Sequence, residues 1–434
     1  MKSLKNASFS FLALFIILGV LVGCSSDESK DSDVVTLKMV ESLTSPERTK
    51  LLKEMLSDFQ VENPDIKVEL ISPPLENADQ KISQMLNAEA SLDILEVRDQ
   101  TLKQFSTNNY IEDLSPYIED WDDWDSINEN AKANAKFVDD TPYYVPYGLY
   151  QKVLFYRTDW FEEAGIDVPE TWDDLYNAAK ELTDPSKNRF GYSFRGGAGG
   201  QDYVEFTTWA YVGEDIDPEE GYFTKDGEPM FSTSEAKEGL EMFVDLYEDA
   251  SPPDSISWSY PEMVEGFTSG VTAMLIQDPE VISVATDNME EGTWDTAPLP
   301  KGPSGVAQQT VGAAGWGMTS YSEHKEEAWK LIQFLSEPDQ NLHFAKNNSL
   351  IPIHKSAADD AFFSEGYFEP YIKMNEDMDV YKAVNRPIGY KGWGEFRGIQ
   401  DKDIQSLLLG DLSIDEALDK WSEYWVEQKE LKDE

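Results

Sequence analysis

The stretch from Pro142 to Leu175 constrains the fold of this chain more than any other. Pro142 and Pro146 each hold the residue before them extended, Gly148 permits a sharp turn, and Val153-Leu154-Phe155-Tyr156 suits a buried strand. A short helix from Asp159, a turn at Gly165 and a capped helix from Thr171 follow. The segment changes character between two strand-forming runs, as a crossing between two lobes requires. Length points the same way, because at 434 residues one core usually splits into more than one.

Upstream, Val35, Leu37 and Met39 alternate with polar neighbours as in a strand, and Ser45-Pro46-Glu47 supplies a cap, a first-turn proline and an acid for a helix reaching Gln60. Ile66–Ile71 is a second strand, Lys81 to Ala90 a helix and Leu92 to Val97 a third strand. This alternation implies an α/β fold with mostly parallel sheets flanked by helices. Ligands of such sheets sit beyond the carboxyl ends of the strands, which points to Glu41 to Thr44 and to Arg98-Asp99. The competing reading is that Arg98 and Asp99 pair with each other or face solvent.

Charge narrows the partners. Asp plus Glu number 84 against 35 Lys plus Arg, a formal charge of −49 that repels nucleic acid and anionic lipid. The acids are spread along the chain, which favours a surface adapted to saline or alkaline surroundings over a local acidic function. A single cysteine rules out an intrachain disulfide. Lys2 and Lys5, the apolar run Phe9 to Val22 and Leu21-Val22-Gly23-Cys24 are similar to a bacterial lipoprotein signal. That similarity implies a signal peptide over 1–23, lipidation at Cys24, a flexible tether over 24–33 and a cell-membrane location facing outward. An uncleaved membrane helix is the alternative.

The WDDWD motif at Trp121–Asp125 has the look of a sugar-binding constellation, but indoles at i, i+3 more often anchor a helix to a core. Arg195 precedes five glycines or alanines, yet the Lys and Ser/Thr of a phosphate loop are missing, so the run suits close backbone approach to a ligand, with Arg195 as a hydroxyl donor. No nucleophile elbow or metal-spaced His/Cys cluster is present, and His324, His343 and His354 read as surface or packing residues. Hence no catalytic residue, metal or cofactor is expected. A glycoside hydrolase would need two carboxylates across a cleft, which an acid-rich chain meets by chance.

Tyr144 to Gly148, Tyr156-Arg157, Phe161 to Gly165 and Pro169 to Leu175 together resemble the signature of extracellular solute-binding proteins of carbohydrate-type ABC transporters. Asp139-Asp140-Thr141 departs from the family's usual Asp-Gly-Lys. Gly270–Met274 with Leu275–Asp278, Leu299–Gly305 and the strand through Gly312, Gly315 and Trp316 extend the likeness. The resemblance implies a two-lobed periplasmic binding protein fold of type II, with residues 34–145 plus 312–350 in one lobe and 146–311 plus 351–434 in the other. It further implies capture of a sugar or oligosaccharide and its delivery to ABC permease subunits by a monomer. Sugars need aromatic faces and polar side chains. The candidates are Trp209, Trp258, Trp316, Trp393, Tyr147, Tyr150 and Tyr260, with Glu41, Arg98, Asp99, Arg195, Asp278 and Glu395 for hydroxyls. Tyr390 and Trp393, flanked by glycines, are expected in a loop. A polyamine is the alternative ligand, since an acidic chain attracts cations and indoles also bind them.

Overall fold

The computed structural model describes residues 34–74 and 77–433, so the expected leader, the tether and Cys24 lie outside the described residues. The strands are β1 (Val35–Val40), β2 (Ile66–Ile71), β3 (Ile94–Arg98), β4 (Val145–Tyr150), β5 (Val153–Tyr156), β6 (Phe190–Tyr192), β7 (Thr272–Gln277), β8 (Asp295–Ala297), β9 (Ala307–Gln309), β10 (Gly312–Met318) and β11 (Tyr381–Ala383). They form a five-stranded sheet in the order β2-β1-β3-β10-β4, a four-stranded sheet β6-β7-β5-β8 and a small β11-β9 pair. Helices cover both larger sheets, which makes the α/β two-lobed architecture that the sequence implied.

Both large sheets are mixed. β1 runs parallel to β2 and β3, but β10 is antiparallel to β3 and β4, because it enters the first lobe from the second. In the second sheet β6 and β7 are parallel, while β5, arriving from the first lobe, runs antiparallel to β7 and β8. The strands next to the crossings thus carry the antiparallel pairing.

Three connections join the lobes. The first is Gln151-Lys152, between β4 and β5, so β4 belongs to the first sheet beyond the expected boundary at 145/146. The second falls between β9 and β10. The third leaves later than 350/351, because Ile351 still bridges Leu149 and His354 still bridges Ile127. By Tyr367 the chain is in the second lobe, where the Thr296 hydroxyl donates to the Tyr367 carbonyl at 2.8 Å.

Gly148 is not a turn. It lies inside β4 beneath Leu350, whose Cδ1 is 3.1 Å from where a Cβ would sit. The irregularity falls one residue earlier: Ala314 faces Gly148 but Gly315 faces Pro146, so Tyr147 is bulged out of register. Its ring packs into the first core 4.9 Å from Trp316 and 5.1 Å from Phe344.

Helix signals in the sequence match local structure closely. Ser45 caps Pro46–Glu62 by accepting from Arg48 N at 3.2 Å, and Leu51, Leu52, Met55, Leu56 and Phe59 form its buried face. Thr171 and Asp174 form a reciprocal capping box on Trp172–Leu182. Trp121 and Trp124 are both buried, Trp121 edge-on to Trp329 at 5.7 Å, so the motif anchors a surface segment. Backbone packing at β6 is closer still. A Cβ on Gly191 would lie 1.9 Å from the Ala179 carbonyl oxygen. Gly191→Ala is therefore expected to cost about 1–3 kcal/mol or more, as overpacking against rigid backbone does, measured as a fall in the urea midpoint.

Candidate functional site

Behind the loop that follows β1 lies a buried cation. Arg48 donates from Nη1 to Glu41 Oε2 at 2.8 Å, and from Nη2 to Glu96 Oε1 at 2.6 Å and to the Tyr147 hydroxyl at 3.0 Å. Its guanidinium carbon sits 5.3, 6.0 and 5.2 Å from the rings of Tyr147, Trp316 and Phe344. Glu96 also accepts from Ser42 Oγ at 2.9 Å, from Leu43 N at 2.8 Å and, at short range, from Ser42 N and the Tyr147 hydroxyl. Glu41 takes bonds from Thr49 and Ser72, each at 2.6 Å. Burial opposes the charges on Arg48 and Glu96, but their mutual attraction prevails, raising the arginine and lowering the carboxyl. Glu41, Tyr147 and Trp316, expected at the ligand, are fully or almost fully buried and form the layer that fixes the 41–45 loop.

In front of this layer the lobes face each other. Tyr150 ends β4, hydrogen bonds to Tyr147 and feels the charge of Glu280 from the second lobe. One residue past Gln151, Lys152 Nζ donates to Gln277 Oε1 at 3.1 Å and, at short range, to Asp278. Glu280 opens the helix Glu280–Asn288, is exposed, and hydrogen bonds to Tyr260. From the first lobe Asp99 accepts from Gln100 N at 2.8 Å and lies 3.1 Å from where a Cβ on Gly312 would be. Burial, joined by the Asp278 charge, raises the Asp99 carboxyl, against the pull of Arg98 and Arg386. Arg98 itself turns to Asp79 and not to Asp99.

Glu280 is walled in without being covered. Loss of surrounding water, then the neighbouring Asp278, lifts its carboxyl to about 7 from an ordinary 4.5. Since the folded value lies above the unfolded one, the folded state holds the extra proton between those pH values. Stability is then lost as pH rises from about 4.5 to about 7, and the deficit persists above that window. Glu280→Gln is expected to raise Tm relative to the parent above about pH 7 and to leave it unchanged near pH 4, by thermal melts without ligand.

The second lobe adds a cluster of four charges. Glu205, fully buried on the helix Gln201–Val212, accepts from Arg386 Nε at 2.8 Å, from Arg386 Nη2 at 2.6 Å and from Arg397 Nη1 at 3.1 Å. Asp202, one turn earlier, takes Nη2 of each arginine at 2.8 Å. Burial would raise Asp202, but the two arginines hold it at about 2. The cluster fixes the segment from Arg386 to Arg397, whose Gly389 meets Lys103 of the first lobe, with Nζ 3.0 Å from its Cβ position.

The remaining candidates are scattered around this face. Arg195 Nε donates to Ala198 O at 2.7 Å and its guanidinium folds over Gly199, while the glycines pack against the backbone of 256–258. Trp258 is half-buried and donates to Asp254 at 3.2 Å. Trp209 is wholly buried, its indole nitrogen donating to Gly221 O at 2.6 Å, which places it in the core. Trp393 is the first residue of the helix Trp393–Leu408, not a loop residue, and packs 5.5 Å from Tyr222, while Tyr390 is buried 5.5 Å from Trp425. Tyr390 stands in the turn before that helix, as its glycines suggested, and an aromatic cluster around Trp425 buries it there. Glu395 is exposed. Lys152, Glu280, Asp202, Glu205 and Arg386 escaped the sequence reading. The i, i+3 spacing of Asp202 and Glu205 on one helix was the available sign. Among the described residues no group of three His, Cys, Asp or Glu side chains is placed to hold a metal ion.

Two lobes joined by three connections, with polar side chains of both meeting at the crossings, define a two-lobed binding protein. The sequence profile of the bacterial extracellular solute-binding proteins matches residues 44–342, and the chain belongs to that family. A binding protein of Brucella abortus (strain 2308) is 24% identical over 92% of this chain and 95% of its own. The erythritol/L-threitol-binding protein of Mycolicibacterium smegmatis is 24% identical over 62% of this chain and 61% of its own. The maltose-bound MalE3 structure of T. maritima superposes with a TM-score of 0.73 at 23% identity, covering 92% of this chain and all of that one. The protein therefore binds solute outside the cytoplasm for an ABC importer, and is not an enzyme.

Proposed function

We propose that the solute is a sugar, oligosaccharide or polyol held between the lobes, and that the closed protein presents it to the permease. The observation carrying this reading is the interlobe face itself, where Asp99 and Tyr150 of the first lobe oppose Lys152, Asp278, Glu280 and Tyr260 of the second. Such alternating donors and acceptors suit solute hydroxyls, and a ligand touching both lobes favours closure. The polyol named for the Mycolicibacterium relative and the maltose named for the T. maritima structure fall in the same chemical class. A calorimetric screen of sugars, polyols and polyamines tests it: saturable binding of at least one polyhydroxylated solute is expected, and binding of polyamines alone overturns it.

Cys24 carries the lipid in this reading, and the monomer is tethered to the outer face of the cell membrane. Among the described residues no helix is long and apolar enough to cross a membrane. Cys24→Ala is expected to release the protein from the membrane fraction or leave a heavier precursor, read by fractionation and mass.

A further inference from the structure

Gln151, in the first connection, points away from both of its neighbours. Lys152 Nζ reaches Gln277 and Asp278, and the Tyr150 Cβ lies 3.7 Å from the Cβ position of Gly312, beside Asp99. Alternate residues of an extended chain face opposite ways, so Tyr150 and Lys152 front the cleft while the Gln151 side chain, 2% exposed, lies behind the crossing. Three side-chain amides form a chain there. Asn130 Nδ2 donates to Asn375 Oδ1 at 2.8 Å, and Asn375 Nδ2 donates to Gln151 Oε1 at 2.8 Å and to Tyr371 O at 2.9 Å.

The members of this chain belong to different bodies. Asn130 lies on the helix Glu129–Ala135, which packs on β4 and β10 of the first lobe. Asn375 lies on the helix Glu369–Glu376 of the second lobe, where Met374 Sδ accepts from Leu299 N at 3.4 Å and from Gln309 Nε2 at 3.9 Å. Gln309 Oε1 in turn accepts from Lys152 N at 2.7 Å, so the same helix touches both crossings. The two amide bonds therefore answer differently to a rotation of the lobes. Gln151 sits at the pivot and keeps its bond to Asn375, whereas Asn130 stands across the pivot. In this arrangement the lobes also touch in front, where Lys103 Nζ lies 3.0 Å from the Cβ position of Gly389. Opening the front presses the back together, and 2.8 Å is already near the short end of the range for N–H···O bonds. The amides of Asn130 and Asn375 must then slide past each other, and their bond is lost.

From this placement we infer that the Asn130–Asn375–Gln151 chain is a clasp that holds the lobes closed, and that Asn375 is a positioning residue for solute binding although it stands behind the cleft. The inference rests on the reading above only in that the solute is held between closed lobes. A solute that binds the closed form gains whatever the clasp contributes to that form, whatever the class of the solute. Loss of the clasp weakens binding by the same factor by which it disfavours closure.

Closure is read without any solute by joining Lys103→Cys to Gly389→Cys in the full mature chain with a short bis-methanethiosulfonate, the joined peptides being quantified by mass spectrometry. Lys103→Cys removes the one atom that a Cβ on Gly389 would meet, so both cysteines fit. A neutral hydrogen bond corresponds to about two- to tenfold in an equilibrium, so Asn130→Ala and Asn375→Ala are each expected to slow the cross-link by up to about tenfold. The double variant is expected to be no slower than Asn375→Ala, since both single changes remove the same interlobe bond. Rates unchanged or faster, even with a lowered urea midpoint, assign the chain to stability alone and overturn the clasp. Additive slowing in the double variant overturns the shared bond. Should Asn375→Ala fail to fold, Asn130→Ala decides alone, because it leaves the bond between Asn375 and Gln151 in place. With no solute present, failure of this test leaves the polyhydroxylated reading standing, and failure of sugars and polyols to bind leaves the clasp standing.

Discussion

Replacing Arg48 by methionine is expected to destabilise the protein by about 3–5 kcal/mol, the cost of leaving a buried carboxylate without its partner. Glu41 and Glu96 are 0% and 1% exposed, so neither can recover water in place of the guanidinium. The aromatic cage of Tyr147, Trp316 and Phe344 loses its cation at the same time. The pH dependence distinguishes this origin from a simple packing defect. In the parent the Glu96 carboxyl is depressed, so it stabilises the fold above its unfolded value of 4.5 and that contribution is lost as pH falls through the folded value. Without Arg48, burial is opposed only by the hydrogen bonds from Tyr147, Leu43 and Ser42, so the carboxyl is depressed less than in the parent and the variant loses less on protonation. The deficit measured by urea unfolding is expected to be largest near neutral pH and to narrow on acidification. A deficit constant with pH would assign the effect to packing. Ligand affinity should fall as well, because Glu96 holds both Ser42 N and Leu43 N in the loop beside the cleft.

Glu205→Ala is expected to act with similar size in the second lobe. Glu205 receives three arginine bonds and the Tyr222 hydroxyl, and its removal leaves Arg386 and Arg397 to share Asp202 alone. The arginine side chains keep 24% and 21% exposure, so water offsets part of the loss and about 3 kcal/mol is the expected scale. The functional consequence follows from connectivity. Arg386 opens the segment whose Gly389 meets Lys103 of the first lobe, so a loosened segment weakens contact between the lobes in the closed form. A fall in ligand affinity measured at a temperature where the variant remains folded checks this. Unchanged affinity would show that the cluster supports stability alone.

Elements were the most legible part of the chain, since their signals are local. Ser45-Pro46, Thr171 with Asp174 and the aromatic run at 153–156 each specify their element within a few residues. Gly148 misled because glycine permits a turn but does not require one, and neighbours decide: Leu350 closes over it. Gly392 does stand in the turn before the helix, its amide donating to Gln428 Oε1 at 3.0 Å and its carbonyl accepting from Tyr424 at 2.7 Å. Candidate ligand residues were less legible. An indole serves a core or a sugar equally well, and in Trp209 and Trp316 the core took it. Asp278 and Asp99 do stand at the interlobe face, because loops at strand ends are placed there by the sheet.

By itself the amino-acid sequence determined the α/β elements and the family, which depend on caps, periodicity and short motifs. Tertiary structure alone decided which charges are paired inside the protein. Arg48 and Glu96 are 48 residues apart and Glu205 and Arg386 are 181 apart, and no local pattern links them. Burial makes each pair obligatory, since an unpaired charge in those interiors costs several kcal/mol.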